Sequence, residues 1–491
     1  MAYKLMIQGT MSSAGKSFIV TALCRLFSDM GYRVAPFKSQ NMALNSGVTF
    51  DGLEMGRAQI AQAEAARTVP DARMNPILLK PSSDVGSQVI VMGKPIGNMK
   101  AKEYYDYKPC LIPIIKEAFS SLEKDYDVII VEGAGSPAEI NLKENDIVNM
   151  GLANMLDLPV LLVGDIDLGG VFAQLLGTLE WLDDDEKARI KGLIINKFRG
   201  DVSLLNPGIK MLEDRCKKTV IGVIPYSKAL IDEEDSVTRK LEEPNTNIET
   251  ETEIIIDVIR LPHMSNFTDF TPLERVSGVS VRYIHEVPLV DSDLIIIPGT
   301  KNTISDLSWI KKNGIYDYLC DKRGLIPVMG ICGGNQMLGS SIVDPKGIET
   351  DDKSLNSICE GLHFINQTTV MSEEKTLRKV SGRIACKAGF FKCLDGTEFE
   401  GYEIHSGVTE RITESCDDVF GTYVHGIFDK AEVTGALINE LRMKKHLPII
   451  DSEIFDYSNI KDIEYDKAAE SVRENIDLKK LFSIMGISYE E

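Results

Sequence analysis

Apolar runs of four or five residues recur through the first half of the chain, at 4–8, 33–37, 128–131, 159–163, 192–195 and 220–223, and amphipathic stretches fill the gaps. This alternation predicts a parallel sheet covered by helices on both faces, because strands buried on both sides read as continuous apolar runs. From Leu241 to Glu253 the pattern lapses into polar and acidic residues, so 241–253 is predicted to be a linker. A second alternation begins at Ile254-Ile255-Ile256, continues through Asp293–Pro298 and Leu325–Met329, and ends near residue 440. Residues 441–491 carry Ala469, Val472 and Ile476 at helical spacing and are predicted to form a helical appendage. The fold class expected is α/β with two parallel-sheet domains, 1–240 and 254–440.

Composition changes this picture little. The chain has 491 residues, 43% apolar and 26% charged, which suits two or three domains with sizeable cores. Its net charge of −20 argues against a polyanion-binding surface, so no nucleic-acid partner is expected. No apolar stretch has the length of a signal peptide or membrane span, and a cytoplasmic protein without membrane attachment is expected. Nine cysteines, at 24, 110, 216, 320, 332, 359, 386, 393 and 416, include no Cys-x-x-Cys pair, so neither a disulfide framework nor a zinc ribbon is predicted.

Chemistry enters with Gly9-Thr10-Met11-Ser12-Ser13-Ala14-Gly15-Lys16-Ser17, which follows the first strand and opens a helical run. A Gly-containing loop there turns backbone N–H groups and a helix N-terminus toward an anion, while Lys16 adds charge and Ser17 can ligate magnesium. A nucleotide site at Gly9, Gly15, Lys16 and Ser17 is predicted. Val128–Val131 leads into Glu132, at the carboxyl edge where an open parallel sheet presents ligands, so Glu132 is a candidate magnesium ligand. Asn196, ending another apolar run, could read a base or simply make a turn; Lys38 could meet a transferring phosphoryl group or be a solvated surface residue.

Met329-Gly330-Ile331-Cys332-Gly333-Gly334 also joins a strand to a helix, with small residues that permit a sharp turn at Cys332. A thiol at a helix N-terminus is placed to act as a nucleophile. The base expected is His425, in Gly421-Thr422-Tyr423-Val424-His425-Gly426, with His405 as a rival. Backbone N–H groups at Gly299 and Gly333 are predicted to hold an oxyanion. The histidines at 263, 285, 363 and 446 read as structural.

The motifs together resemble the cobyric acid synthase family, with a P-loop of the dethiobiotin synthetase type. The resemblance rests on Lys38–Ser46, Glu54–Gln59, Met74–Ser83 and Val131–Leu142 as well as on the two sites. It implies an N-terminal amide synthetase domain and a C-terminal flavodoxin-like glutamine amidotransferase domain. The reaction implied is ATP- and glutamine-dependent amidation of four peripheral carboxylates of adenosylcobyrinic acid a,c-diamide, a corrinoid, through acyl phosphates. By similarity, magnesium would be held by Ser17, Glu132 and Glu54, Lys16 and Lys38 would meet phosphates, and Cys332 and His425 would hydrolyse glutamine.

Three positions depart from related patterns. Many class I glutaminases have a Glu two residues after the histidine, where this chain has Ile427; a Cys–His dyad is thereby implied. An imidazole with no anion to orient it predicts slow glutamine hydrolysis until the synthetase site is filled. Leu168 stands where Arg is expected, and Asn335 where Tyr is expected. The alternatives are cobyrinic acid a,c-diamide synthase, which amidates other carboxylates, and a partitioning-type nucleotide switch, which is not an enzyme of this kind.

Overall fold

A computed structural model describes residues 2–83, 86–227, 229, 231, 253–349, 357–409, 418–451 and 455–488. All of the predicted linker except Glu253 lies outside the described residues, as does Cys416. The chain forms two compact units: Met1–Ala43 with Glu54–Glu234 and Lys461–Glu491, and Leu44–Leu53 with Asp235–Ile460. Among the described residues it passes between units at 43/44, 53/54 and 460/461, and again between 231 and 253.

In the first unit six parallel strands are ordered Val220–Pro225, Ile190–Phe198, Val160–Asp165, Tyr3–Gly9, Val128–Glu132, Val34–Phe37. Each of the six predicted runs supplies one of them. Tyr3–Gly9 lies between Val160–Asp165 and Val128–Glu132, so strand order reverses across it. A crevice forms outside the carboxyl ends of the strands at such a point, and both the P-loop and Glu132 leave the sheet there. A smaller sheet of Gln40–Met42, Ile77–Ser83, Gly86–Val91 and Lys94–Lys100 belongs to the same unit; the apolar pattern did not reveal it.

The tail has two destinations. The helix Ala431–Lys444 buries Val433, Leu437, Ile438 and Leu441 in the core of the second unit. Farther on, Ala468, Ala469, Val472, Ile476, Leu481 and Phe482 join Leu5, Ile19 and Phe27 in a core of the first. Arg25, buried at the base of that contact, donates to Asp466 (2.7 Å) and Asp462 (3.1 Å).

The second unit has five parallel strands, ordered Val279–Ile284, Ile254–Ile259, Leu294–Ile297, Val328–Ile331, Val419–Thr422. In chain order this is 2-1-3-4-5, the flavodoxin-like arrangement. The strands bury Ile254, Ile256, Leu294, Ile296, Val328 and Met329 in one core. A sheet of Ser341–Asp344, Ser357–Glu360, Thr368–Arg383 and Glu398–Thr409 is added to it.

Candidate functional site

The P-loop is held from both its glycine and its neighbours. Gly15 has φ +95°, and a Cβ on it would lie 2.0 Å from Nδ2 of Asn196, so both conformation and space demand glycine. Asn196 Nδ2 donates to the carbonyl of Ala14 (3.0 Å), and Lys197 Nζ donates to the carbonyl of Ser13 (2.7 Å) while paired with Asp165 (2.7 Å). The amide nitrogen of Asn196 is thus committed to the loop. Lys16 Nζ arches over the loop to the carbonyls of Met11 (3.0 Å) and Gly135 (3.2 Å). It opens the Lys16–Asp29 helix, whose first N–H groups have no intrahelical acceptor.

Next to the loop, Glu132 gathers the other expected residues. Ser17 Oγ and Lys38 Nζ each donate to Glu132 Oε1 at 2.9 Å, and Gln62 Nε2 donates to Oε2. Lys38 is buried, so the surface-lysine reading is excluded. Burial pushes the Glu132 carboxyl up, but the Lys38 ammonium and the hydrogen bonds from Gln62 and Ser17 outweigh it and hold the carboxylate ionised. Amide oxygens of Gln8 and Gln62 are buried with no hydrogen-bond partner. Oxygen donors at Ser17 and Glu132, backed by these amides, suit a small hard cation. Glu54, the other expected magnesium ligand, is buried in an ion pair with Lys80 (2.9 Å).

In the second unit the turn after Val328–Ile331 puts Cys332 at φ 51°, ψ −106°, a strained conformation at the start of the helix Gly333–Leu338. Tight packing enforces the turn, since a Cβ on Gly334 would lie 2.0 Å from the carbonyl oxygen of Ile297. Cys332 Sγ lies 3.4 Å from the carbonyl of Ile404. His425 faces Cys332, and Gly299 lies against the ring: a Cβ there would be 2.9 Å from Cε1. A Cβ on Gly333 would be 3.1 Å from the backbone nitrogen of Thr300. The Gly299 and Gly333 segments thus meet at the nucleophile, as an oxyanion site requires.

His425 does have an anion. Its Nδ1 lies 2.7 Å from Oδ2 of Asp269, whose Oδ1 accepts from the N–H of Gly426 (3.0 Å). The expectation of a Cys–His dyad whose base lacks a carboxylate is corrected: Ile427 is buried in the core, and Asp269, 156 residues upstream of His425, takes the place beside the imidazole. Burial alone would lower the His425 pKa, but the charge of Asp269, then Cys332, raises it to about 10. His405 is held by the carbonyl of Gly407 (2.7 Å) and by Glu403 (3.4 Å), with its ring stacked on Tyr423, whereas His425 is the histidine that faces Cys332.

Comparison with known proteins assigns a family to each unit's sequence. Residues 5–238 match the CobQ/CobB/MinD/ParA nucleotide binding domain, and residues 255–433 match the CobB/CobQ-like glutamine amidotransferase domain. Cobyric acid synthases from Lachnoclostridium phytofermentans and Thermoanaerobacter sp. are 48% and 49% identical to this chain, in each case over 99% of both chains. That from Alkaliphilus metalliredigens is 48% identical over 98% of this chain and 99% of its own.

The chain belongs to the cobyric acid synthase family.

Membership makes it a glutamine-dependent amidating ligase of cobalamin biosynthesis and removes the nucleotide-switch alternative. Among the described residues no helix is long and apolar enough to cross a membrane. Within this family member, Asn335 has a packing role. Its Oδ1 would lie 1.9 Å from a Cβ on Gly421 and accepts from Gln367 Nε2 (3.1 Å), so the amide fills the space that glycine leaves. Leu168 is exposed, and the nearby cation is Arg199, which pairs with Asp167 (2.8 Å) and lies over the Tyr226 ring. Sequence reading missed Gln62, Lys197 and Asp269. Lys197 could have been found as the neighbour of Asn196; Asp269 carries no local signal of its role.

Proposed function

We propose that this protein amidates four peripheral carboxylates of adenosylcobyrinic acid a,c-diamide to give adenosylcobyric acid, using ATP and the amide nitrogen of glutamine. One observation carries the reading: a single chain holds both the Lys16–Lys38–Glu132 cluster at a phosphate cradle and the Cys332–His425 pair at a nucleophile turn.

At the first site, Lys16 and the helix N-terminus bind phosphate oxygens while Lys38 meets the γ-phosphoryl group as it moves to a substrate carboxylate. Ser17 and Glu132 would hold magnesium, which when bound neutralises phosphate charge. The product is an acyl phosphate, whose phosphate is displaced by ammonia to leave an amide. At the second site Cys332 attacks the glutamine carboxamide, the N–H groups of Gly299 and Gly333 bind the oxyanion, and His425 protonates the departing ammonia. Water then cleaves the thioester to glutamate.

Mass spectrometry of corrinoids incubated with ATP, magnesium and glutamine tests the assignment. Four successive replacements of a carboxyl by a carboxamide on the a,c-diamide are expected, each removing one ionisable group. Amidation only of the unmodified acid, stopping after two additions, would identify a cobyrinic acid a,c-diamide synthase instead.

A further inference from the structure

We infer that Asp269 is the positioning residue of the glutaminase, fixing the tautomer and orientation of His425 from a segment other than the one that follows the histidine. The inference rests on the reading of Cys332 and His425 as the glutaminase pair and adds to it a residue that this reading did not contain.

Both oxygens of Asp269 are engaged on the same target. Oδ2 meets Nδ1 of His425, and Oδ1 holds the N–H of Gly426, so the carboxylate grips the ring and the backbone that carries it. Asp269 and His425 are both almost fully buried, which excludes an incidental surface ion pair. The carboxylate is itself held rigidly. Asn266, left-handed at φ 55°, begins the turn Phe267–Phe270, and Asn45 and Asn266 brace it with reciprocal bonds. Asn45 Oδ1 accepts from Phe267 N (3.1 Å), and Asn266 Oδ1 accepts from Ser46 N (3.0 Å).

With Nδ1–H donating to Asp269, Nε2 of His425 is left for the nucleophile. With its pKa raised by Asp269 and Cys332, His425 already holds a proton on Nε2, so Cys332 attacks the carboxamide as the thiolate of an ion pair with the imidazolium. Nε2–H then protonates the nitrogen as the C–N bond breaks, and ammonia leaves. Nε2 next takes a proton from water, whose oxygen attacks the thioester, and keeps it as the Sγ–C bond breaks, so that glutamate departs and the thiolate–imidazolium pair is restored. The first half-reaction starts from the imidazolium and the second re-forms it, and Asp269 stabilises it in both. The titratable groups facing that ring are Asp269, Cys332 and Tyr402, whose ring stacks on the imidazole.

Glutamine hydrolysis by the full-length protein, with ATP and corrinoid present, tests this through Asp269→Asn. The expected result is a fall in kcat of about 10²–10⁴ with little change in KM, as for other imidazoles deprived of their carboxylate. The basic limb of the kcat/KM profile should also move to lower pH by at least about one unit, because the anion that favours the imidazolium is gone. Asp269→Glu, which keeps the charge, should restore the limb at a reduced rate. Calorimetric titration of glutamine into Cys332→Ala and Cys332→Ala/Asp269→Asn should give equal Kd values, showing an intact site. A kcat within twofold of the parent with an unmoved limb, or loss of glutamine binding in the double variant, would overturn the inference. Survival of hydrolysis in Cys332→Ala would instead sink the glutaminase reading on which it rests.

Discussion

At Gly299 the lack of a side chain is a requirement of the second site, because a Cβ would lie 2.9 Å from Cε1 of His425, closer than such atoms normally approach. Gly299→Ala should displace the imidazole from Cys332 and reduce glutamine hydrolysis by at least about tenfold, while ammonia-driven amidation is unchanged. Equal loss of both activities would contradict that. The same pair of assays separates the two sites. Cys332→Ala should abolish amidation with glutamine, since no thioester can form, yet leave amidation with ammonium chloride at raised pH. Lys16→Ala should lose both, because free ammonia does not displace oxygen from an unactivated carboxylate. Removing a phosphate-binding cation from such a site costs on the order of 3 kcal/mol, about a hundredfold in rate. Glutamine-driven product from Cys332→Ala would leave the second unit without its assigned role.

Between elements, charge ties the tail to the first unit. Glu64, on the Arg57–Ala65 helix, accepts from Lys461 (2.8 Å) and Tyr465 (3.1 Å) of the Tyr457–Asn475 helix. Burial pushes its carboxyl up, but Lys461 and then Arg57 pull it down further, from 4.5 to about 2. A carboxyl held below its unfolded value adds stability that is fully present above about pH 4.5 and is lost as pH falls through about 2. Glu64→Gln should therefore lower Tm at neutral pH and show a shallower decline of Tm than the parent on acidification below pH 4.5. Parallel declines in thermal unfolding would show that this contact does not couple tail docking to protons.

For the whole molecule, the segment after Ile460 is a structural part of the first unit. Ending the chain there removes Leu481 and Phe482 from the core around Leu5 and Phe27, and takes Asp462 and Asp466 from the buried Arg25. Each fully buried large apolar side chain is worth about 1.5–3 kcal/mol, and several are lost together. Against a typical stability of about 5–15 kcal/mol, the first unit of the truncated chain should lose its native fold. Ammonia-driven amidation should vanish, and limited proteolysis should cut within residues 2–227 while sparing 253–451. A truncated chain that retains ATP-dependent amidation would refute this.

The sequence by itself determined the two parallel sheets, the glycine loop that opens the helix at Lys16 and the sharp turn at Cys332, and it singled out His425 for the place beside that turn. Each is written in a contiguous pattern: an apolar run buried on both faces, or a strand, a glycine turn and a helix whose N-terminus does the chemistry. Tertiary structure alone decided that Lys38 and Gln62 converge on Glu132, that Glu54 pairs with Lys80, and that Leu44–Leu53 and Lys461–Glu491 each cross to the other unit from their sequence neighbours. It also decided the carboxylate on the base, where the expected position after the histidine is apolar. Asp269 and His425 meet because the turn at 267–270 and the segment following Val419–Thr422 are folded against each other, a partnership across 156 residues that no periodicity or spacing records. Local patterns express what one element needs in order to form; an ion pair between elements depends on how the sheet orders its strands, which is settled only when the core packs.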